Sequence, residues 1–179
     1  MLHPRIGPPK RLRDVALPAG MDRWYLPQFD DTEWKSGKTP IGVGEFKAHG
    51  HGTGWTATPD HFFKNNSDWG DGEFLVMRTT FDVADTDFDY CRIKILSDQG
   101  YHIYLNGQKI HTYIWFMHFP EYREIMLSKN EMKHLKKGVN TLAVHSVVRF
   151  EKDKKTDSYH PVGQVDITID AMKKSDLGL

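Results

Sequence analysis

The chain has 179 residues, enough for one well-formed core with large loops. Its 24 lysines and arginines balance 24 aspartates and glutamates, so no overall field draws it to nucleic acid or an anionic membrane, and no apolar run is long enough to span a bilayer. The single cysteine, Cys91, excludes an internal disulfide and alternates with Ile93 and Ile95 on an apolar side, which reads as a buried structural thiol.

Residues 1–20 are rich in proline and basic side chains and read as an extended arm, without the apolar segment of a secretory signal. From Met21, Trp24, Phe29 and Trp34 are spaced too irregularly for one strand, and Asp30-Asp31-Thr32 suits the cap of a short helical turn. This stretch predicts an aromatic-anchored cover over the end of a sheet. Residues 46–72 contain Trp55, Asn65-Asn66 and Trp69 with no sustained period, so they read as a long loop, where function concentrates.

Strands then follow in order. Phe74 to Val83 alternates, with Leu75, Met77, Thr79, Phe81 and Val83 on one face and Arg78, Thr80 and Asp82 on the other. Tyr90 to Leu96 is the next strand. In YHIYLNGQKIHTYI, residues 101–114, Asn106-Gly107 supplies the positive φ angles of a type I′ hairpin turn. A two-residue loop sets Leu105 opposite Gln108, Tyr104 opposite Lys109, Ile103 opposite Ile110 and His102 opposite His111.

Tyr122 to Leu127 predicts a short strand, and Ser128-Lys129-Asn130-Glu131 carries the capping-box pattern. Leu127 and Met132 sit at staple positions, so a helix is expected over 129–137, ending at Gly138. Thr141 to Val148 and Gln164 to Ala171 predict the last strands, the latter with Val165, Ile167 and Ile169 inward and Gln164, Asp166, Thr168 and Asp170 outward. FEKDKKTDSYHP between them reads as a charged loop. The expectation is an all-β sandwich domain over 21–172 with one short helix, followed by a tail or linker at 173–179.

Four stretches, FDDTEWKSGKTPIGVGE, FLVMRTTFDV, SDQGYHIYLNGQKI and LKKGVNTLAVHSV, together resemble the galactose-binding-domain-like jelly rolls that serve as accessory modules in multidomain bacterial glycoside hydrolases, including the sugar-binding domain of family 2 enzymes. The resemblance spans most of Trp24 to Ala171. It implies a jelly-roll β-sandwich attached to, or working beside, a carbohydrate-active enzyme, usually without catalytic residues of its own. It implies an extracytoplasmic setting, and it does not imply galactose. The chain departs from the family pattern in the histidine-rich stretch from His49 to Trp69 and in the aromatic run Trp115-Phe116-Met117-His118-Phe119.

Sugar recognition needs flat aromatic faces with amides, carboxylates and imidazoles around them. Trp115, Phe116, His118 and Tyr122 supply these in one loop, and Trp55 and Trp69 in the other. The alternative use of these rings is to fill space beneath an inter-sheet connection or to dock on a neighbouring domain or subunit. Ten histidines invite a metal reading, through His49, His51 and His61 or the pair His102 and His111, but no motif accompanies them and zinc ordinarily takes three or four ligands. Structural calcium has minor candidates in Asp85, Asp87 and Asp89 and in Asp68 and Asp71, though carboxylates at turns are common for local reasons. Neither Asp30-Asp31-Glu33 nor Ser97-Asp98 nor His145-Ser146 carries a catalytic motif.

The expected function is therefore a non-catalytic carbohydrate-binding or accessory domain of a secreted carbohydrate-active enzyme, with carbohydrate and a catalytic domain or neighbouring subunit as partners. Two other classes are carried with it: a structural interaction or oligomerisation domain with no sugar ligand, and a small metal-dependent enzyme acting on polysaccharide.

Overall fold

The computed structural model describes residues 16–43, 65–70, 72, 74–97, 99–114, 122–152 and 159–177. Ten strands are arranged as β1 (Ile41–Val43), β2 (Ser67–Asp68), β3 (Phe74–Val83), β4 (Tyr90–Ser97), β5 (Tyr101–Leu105), β6 (Gln108–Tyr113), β7 (Arg123–Met126), β8 (Gly138–Val147), β9 (Arg149–Lys152) and β10 (Tyr159–Met172). Among the described residues one α-helix, α1 (Lys129–Met132), lies between β7 and β8. A larger sheet has the order β2-β1-β10-β4-β7 with β9 paired to β10, and a smaller sheet has the order β3-β8-β5-β6. This is an all-β sandwich in jelly-roll order.

The pairings are nested about one turn. β5 pairs with β6, β4 with β7, β3 with β8 and β1 with β10, all antiparallel. The innermost turn is Asn106-Gly107, with φ of 48° and 84°, as the type I′ geometry requires. Gly107 is also crowded, because a Cβ there would lie 2.9 Å from Leu26 Cδ2.

Between the sheets, Cys91, Ile93, Ile95, Tyr101, Ile103, Leu105, Leu142, Val144 and Val165 form a continuous core, with Leu75, Met77, Phe81 and Val83 packed against it. The alternation in β3, β4, β8 and β10 selects these residues for the inner faces. Burial pushes the Cys91 thiol up to about 11, with the Asp170 carboxylate acting in the same direction.

Several sequence expectations change. A β-bulge between Ile103 and Tyr104 shifts the hairpin register, so Ile103 meets His111 and His102 meets Thr112. Ile103 and Ile110 are nevertheless both buried. The capping box forms in both directions between Ser128 and Glu131, but the helix ends at Met132 rather than Lys137. His134 and Leu135 then donate to Glu131 and Met132 in tighter turns, and Gly138, at φ +86°, begins β8. The charged loop after Val148 is bordered by paired strands, since β9 and the start of β10 form a ladder from Tyr159 to Val162.

The segment after Met21 covers the outer face of the smaller sheet rather than its end. Trp24 is 1 % exposed and meets the Tyr104 ring edge-on at 5.5 Å, while Tyr25 stacks on Tyr104 at 4.4 Å. Arg78 on β3 holds this cover from beneath. Its guanidinium donates to the carbonyls of Phe29 (2.8 Å), Leu26 (3.0 Å) and Pro27 (3.3 Å) and pairs with Asp31 at 3.1 Å.

Candidate functional site

Of the predicted ligand residues, Trp115, Phe116, His118 and Trp55 lie outside the described residues, while Tyr122 and Trp69 are within them. Tyr122 immediately precedes β7 and is 37 % exposed. Its phenol donates to Asp166 Oδ2 on β10, a contact that bridges the outer face of the larger sheet. Burial, then the hydrogen bond and charge of Asp166, push this phenol up to about 12.

Two residues along the same face of β10, Gln164 Nε2 donates to Asn65 Oδ1 at 2.6 Å. Asn65 sits over Gly42 of β1, where a Cβ would come within 2.3 Å of its Oδ1. Gln164 and Asp166 alternate outward as expected, yet they are buried, at 3 % and 9 % exposure. Strand periodicity assigns a face and says nothing of what lies on it.

The outcome is a row of carboxylate, phenol and two amides along one strand. Asn65, which belongs to the stretch His49 to Trp69, and Tyr122, three residues after Phe119 in the sequence, are thus bonded to neighbouring points on β10. The sequence alone did not show this, because Asn65, Tyr122 and Gln164 are far apart in the chain; the alternating polar residues of β10 were the one available signal.

Trp69 is placed differently. Its Nε1 donates to the Phe74 carbonyl at 2.9 Å and its ring packs against the core. Its own N–H donates to Gly42 O at 2.9 Å, fixing the strand beneath Asn65.

The interior near this end of the sandwich is polar. Ser97 Oγ and Ser146 Oγ lie 3.0 Å apart, and both reach carbonyls of the β4–β5 turn, Gln99 at 2.8 Å and Gly100 at 3.0 Å. Arg123 lies over the Tyr113 ring at 4.0 Å and donates to its phenol at 2.9 Å. Tyr101 is fully buried against His111 and Tyr113, and burial pushes its phenol up to about 12.

The remaining chemical candidates disperse. His145 faces outward on β8 while its neighbour Ser146 faces inward, so they cannot act as base and nucleophile. Asp98 lies outside the described residues. Asp30 caps Thr32 and Asp31 is paired with Arg78. His102 does not face His111 but stands across from His145; His49, His51 and His61 lie outside the described residues. Among the described residues no group of three or more histidines, cysteines or carboxylates converges. Asp85 accepts the Asp87 N–H, Asp87 pairs with Lys173, Asp89 accepts the Lys174 N–H, and Asp68 accepts the Gly70 N–H, while Asp71 lies outside the described residues.

No family model matches the chain, and the comparison with curated proteins gives no match. Among solved structures, an α-L-rhamnosidase from Streptomyces avermitilis, complexed with L-rhamnose, aligns over 57 % of this chain and 9 % of its own at 19 % identity and a TM-score of 0.39. The α-L-rhamnosidase from Dictyoglumus thermophilum aligns over 58 % of this chain and 12 % of its own at 14 % identity and a TM-score of 0.36. A PA14 sugar-binding domain from an RTX adhesin aligns over 60 % of this chain and 49 % of its own at 14 % identity and a TM-score of 0.30. The chain thus spans about a tenth of each rhamnosidase and about half of the adhesin domain.

Proposed function

We propose that this jelly roll is a non-catalytic carbohydrate-binding or accessory domain that works beside a secreted carbohydrate-active enzyme, in an extracytoplasmic setting. The reading rests on one observation: Tyr122 and Asn65 are bonded to Asp166 and Gln164 on one face of β10. The Tyr122 phenol and the Asn65 amide, held against the Asp166 carboxylate and the Gln164 amide of β10, are groups of the kind that hydroxyl recognition uses. The aromatic residues that would stack on a sugar ring, Trp115, Phe116, His118 and Trp55, belong to the stretches that lead into these anchors. Trp69 supports the Asn65 end from the core side. The resemblance seen in the sequence supplies the class of ligand, and the partner is a catalytic domain or neighbouring subunit.

Affinity electrophoresis across soluble polysaccharides, with a glycan array, tests this. Wild-type protein is expected to be retarded by at least one glycan, with binding about fivefold or more weaker in Trp115→Ala, since stacking of an aromatic ring contributes on the order of 1 kcal/mol or more, and weakened in Asp166→Asn with the circular dichroism unchanged. Failure of the wild type to bind any glycan overturns the function. Undiminished binding in both variants overturns the site.

A further inference from the structure

The layer over the smaller sheet holds two imidazoles that the sugar site does not use. His145 on β8 stands opposite His102 on β5, with ring centres 5.9 Å apart. Trp24 at 6.4 Å and Phe74 at 6.3 Å close on His145 at steep angles. It is 5 % exposed, and its Nε2 is buried without a hydrogen-bond partner. His102 Nδ1 bonds Thr112 Oγ1 at 2.9 Å. An imidazolium would bring two N–H donors into this layer, where the neighbouring rings accept poorly.

The groups around it do not compensate. From β5 come His102 and Tyr104, from β6 Lys109, and from β3 Arg78; from the cover come Tyr25, stacked on Tyr104, and Asp31, which Arg78 already holds at 3.1 Å. Burial and the neighbouring His102 both press His145 toward the neutral form, at about 4.

The two halves of the cover are held by different forces. Leu26, Pro27 and Phe29 hang from Arg78 by their carbonyls, which do not titrate. Trp24 and Tyr25 are held by ring packing, and a cavity of about 490 Å³ already lies between Leu17, Pro18 and Met21 and the rings of Trp24, Tyr25 and Tyr104.

We propose that His145 and His102 form an acid-operated latch, in which the uncharged pair keeps residues 16–25 on the sheet and protonation of His145 lifts them while Arg78 retains residues 26–31. Opening lets water reach the new charge and bares the sheet face of His102, Tyr104 and His145.

With His145 at its ordinary 6.5 when uncovered and about 4 when covered, one-proton linkage raises the open fraction about thirtyfold between pH 8 and pH 5. Hydrogen exchange by mass spectrometry, corrected for intrinsic rates, reads this in the full chain. Peptides within 16–25 should lose protection by about that factor, while peptides of β3 and β8 keep theirs. In His145→Phe the pH dependence of 16–25 should vanish, and in His102→Asn it should shrink. An undiminished response in His145→Phe, or simultaneous loss of protection in β3 and β8, overturns the latch. Should His145→Phe fail to fold, wild-type protein decides: loss of protection in 16–25 that tracks the titration of the His145 imidazole resonance upholds the proposal, and protection in 16–25 that stays constant while that resonance titrates overturns it.

Discussion

Replacing Arg78 should detach the cover and cost a large share of the molecule's stability. The side chain is 4 % exposed and serves three carbonyls, so truncation leaves Leu26, Pro27 and Phe29 without their donor. A hydrogen bond to a charged group contributes about 1.5–3 kcal/mol, but one guanidinium serves all three acceptors and water replaces part of the loss once the cover loosens. The ion pair adds less than about 1 kcal/mol, because Asp31 is 46 % exposed. Arg78→Ala is therefore expected to lose about 2–4 kcal/mol out of a typical 5–15 kcal/mol. Arg78→Lys should fall between the two, since a single ammonium cannot span the same fork of acceptors. Urea unfolding followed by circular dichroism measures both. A loss under about 1 kcal/mol in Arg78→Ala, or wild-type stability in Arg78→Lys, would refute the clip.

Three further expectations follow from the same contacts. Asn106 donates to His134 O and Asn140 Oδ1 at 2.7 Å each and accepts from Thr141 N at 2.8 Å; Asn106→Gly keeps the turn geometry but removes these bonds, so thermal unfolding should report a loss of about 2–3 kcal/mol, and a neutral result would show the network to be dispensable. Cys91, with its thiol raised to about 11 and no exposed surface, should label with a thiol reagent only through opening, at least about a thousandfold slower than in denaturant; fast labelling in native buffer contradicts its burial. Between pH 6.5 and about 4 the unfolded chain binds a proton at residue 145 that the folded chain refuses, so stability falls as pH falls across that window. The loss reaches at most about 3 kcal/mol, and a denaturation series that is flat there, or unchanged in slope in His145→Phe, counts against the assignment.

Local signals were legible wherever one residue type admits one geometry. Asn106-Gly107 gave the turn, Ser128 and Glu131 the cap, and alternation the inner faces of β3, β4 and β10. What could not be read was anything set by a partner remote in sequence. The bulge between Ile103 and Tyr104 moved His102 opposite Thr112, a shift that no local residue pattern announces. Arg78, assigned to an outer face, is buried because a segment some fifty residues earlier lies on it. Gln164 and Asp166 are buried for the same kind of reason. The candidate site followed suit: its polar row comes from stretches that the order β2-β1-β10-β4-β7 brings together.

The concentric pairing around Asn106 has a kinetic consequence. Once β5 and β6 have closed, β4 and β7 have only a short stretch of free chain left to tie off, and so do β3 and β8, whereas β1 joins across residues 44–73, so the steps out to β3 and β8 lose little chain entropy and the β1–β10 step loses more. Formation is expected to run from the turn to the rim, with β1 and β10 last. Substitutions at Leu105 or Asn106 should then slow refolding, whereas Ile41→Ala should chiefly hasten unfolding. β10, which joins last, is also the strand that carries Gln164 and Asp166, so the polar row along it is assembled only in molecules that have finished folding.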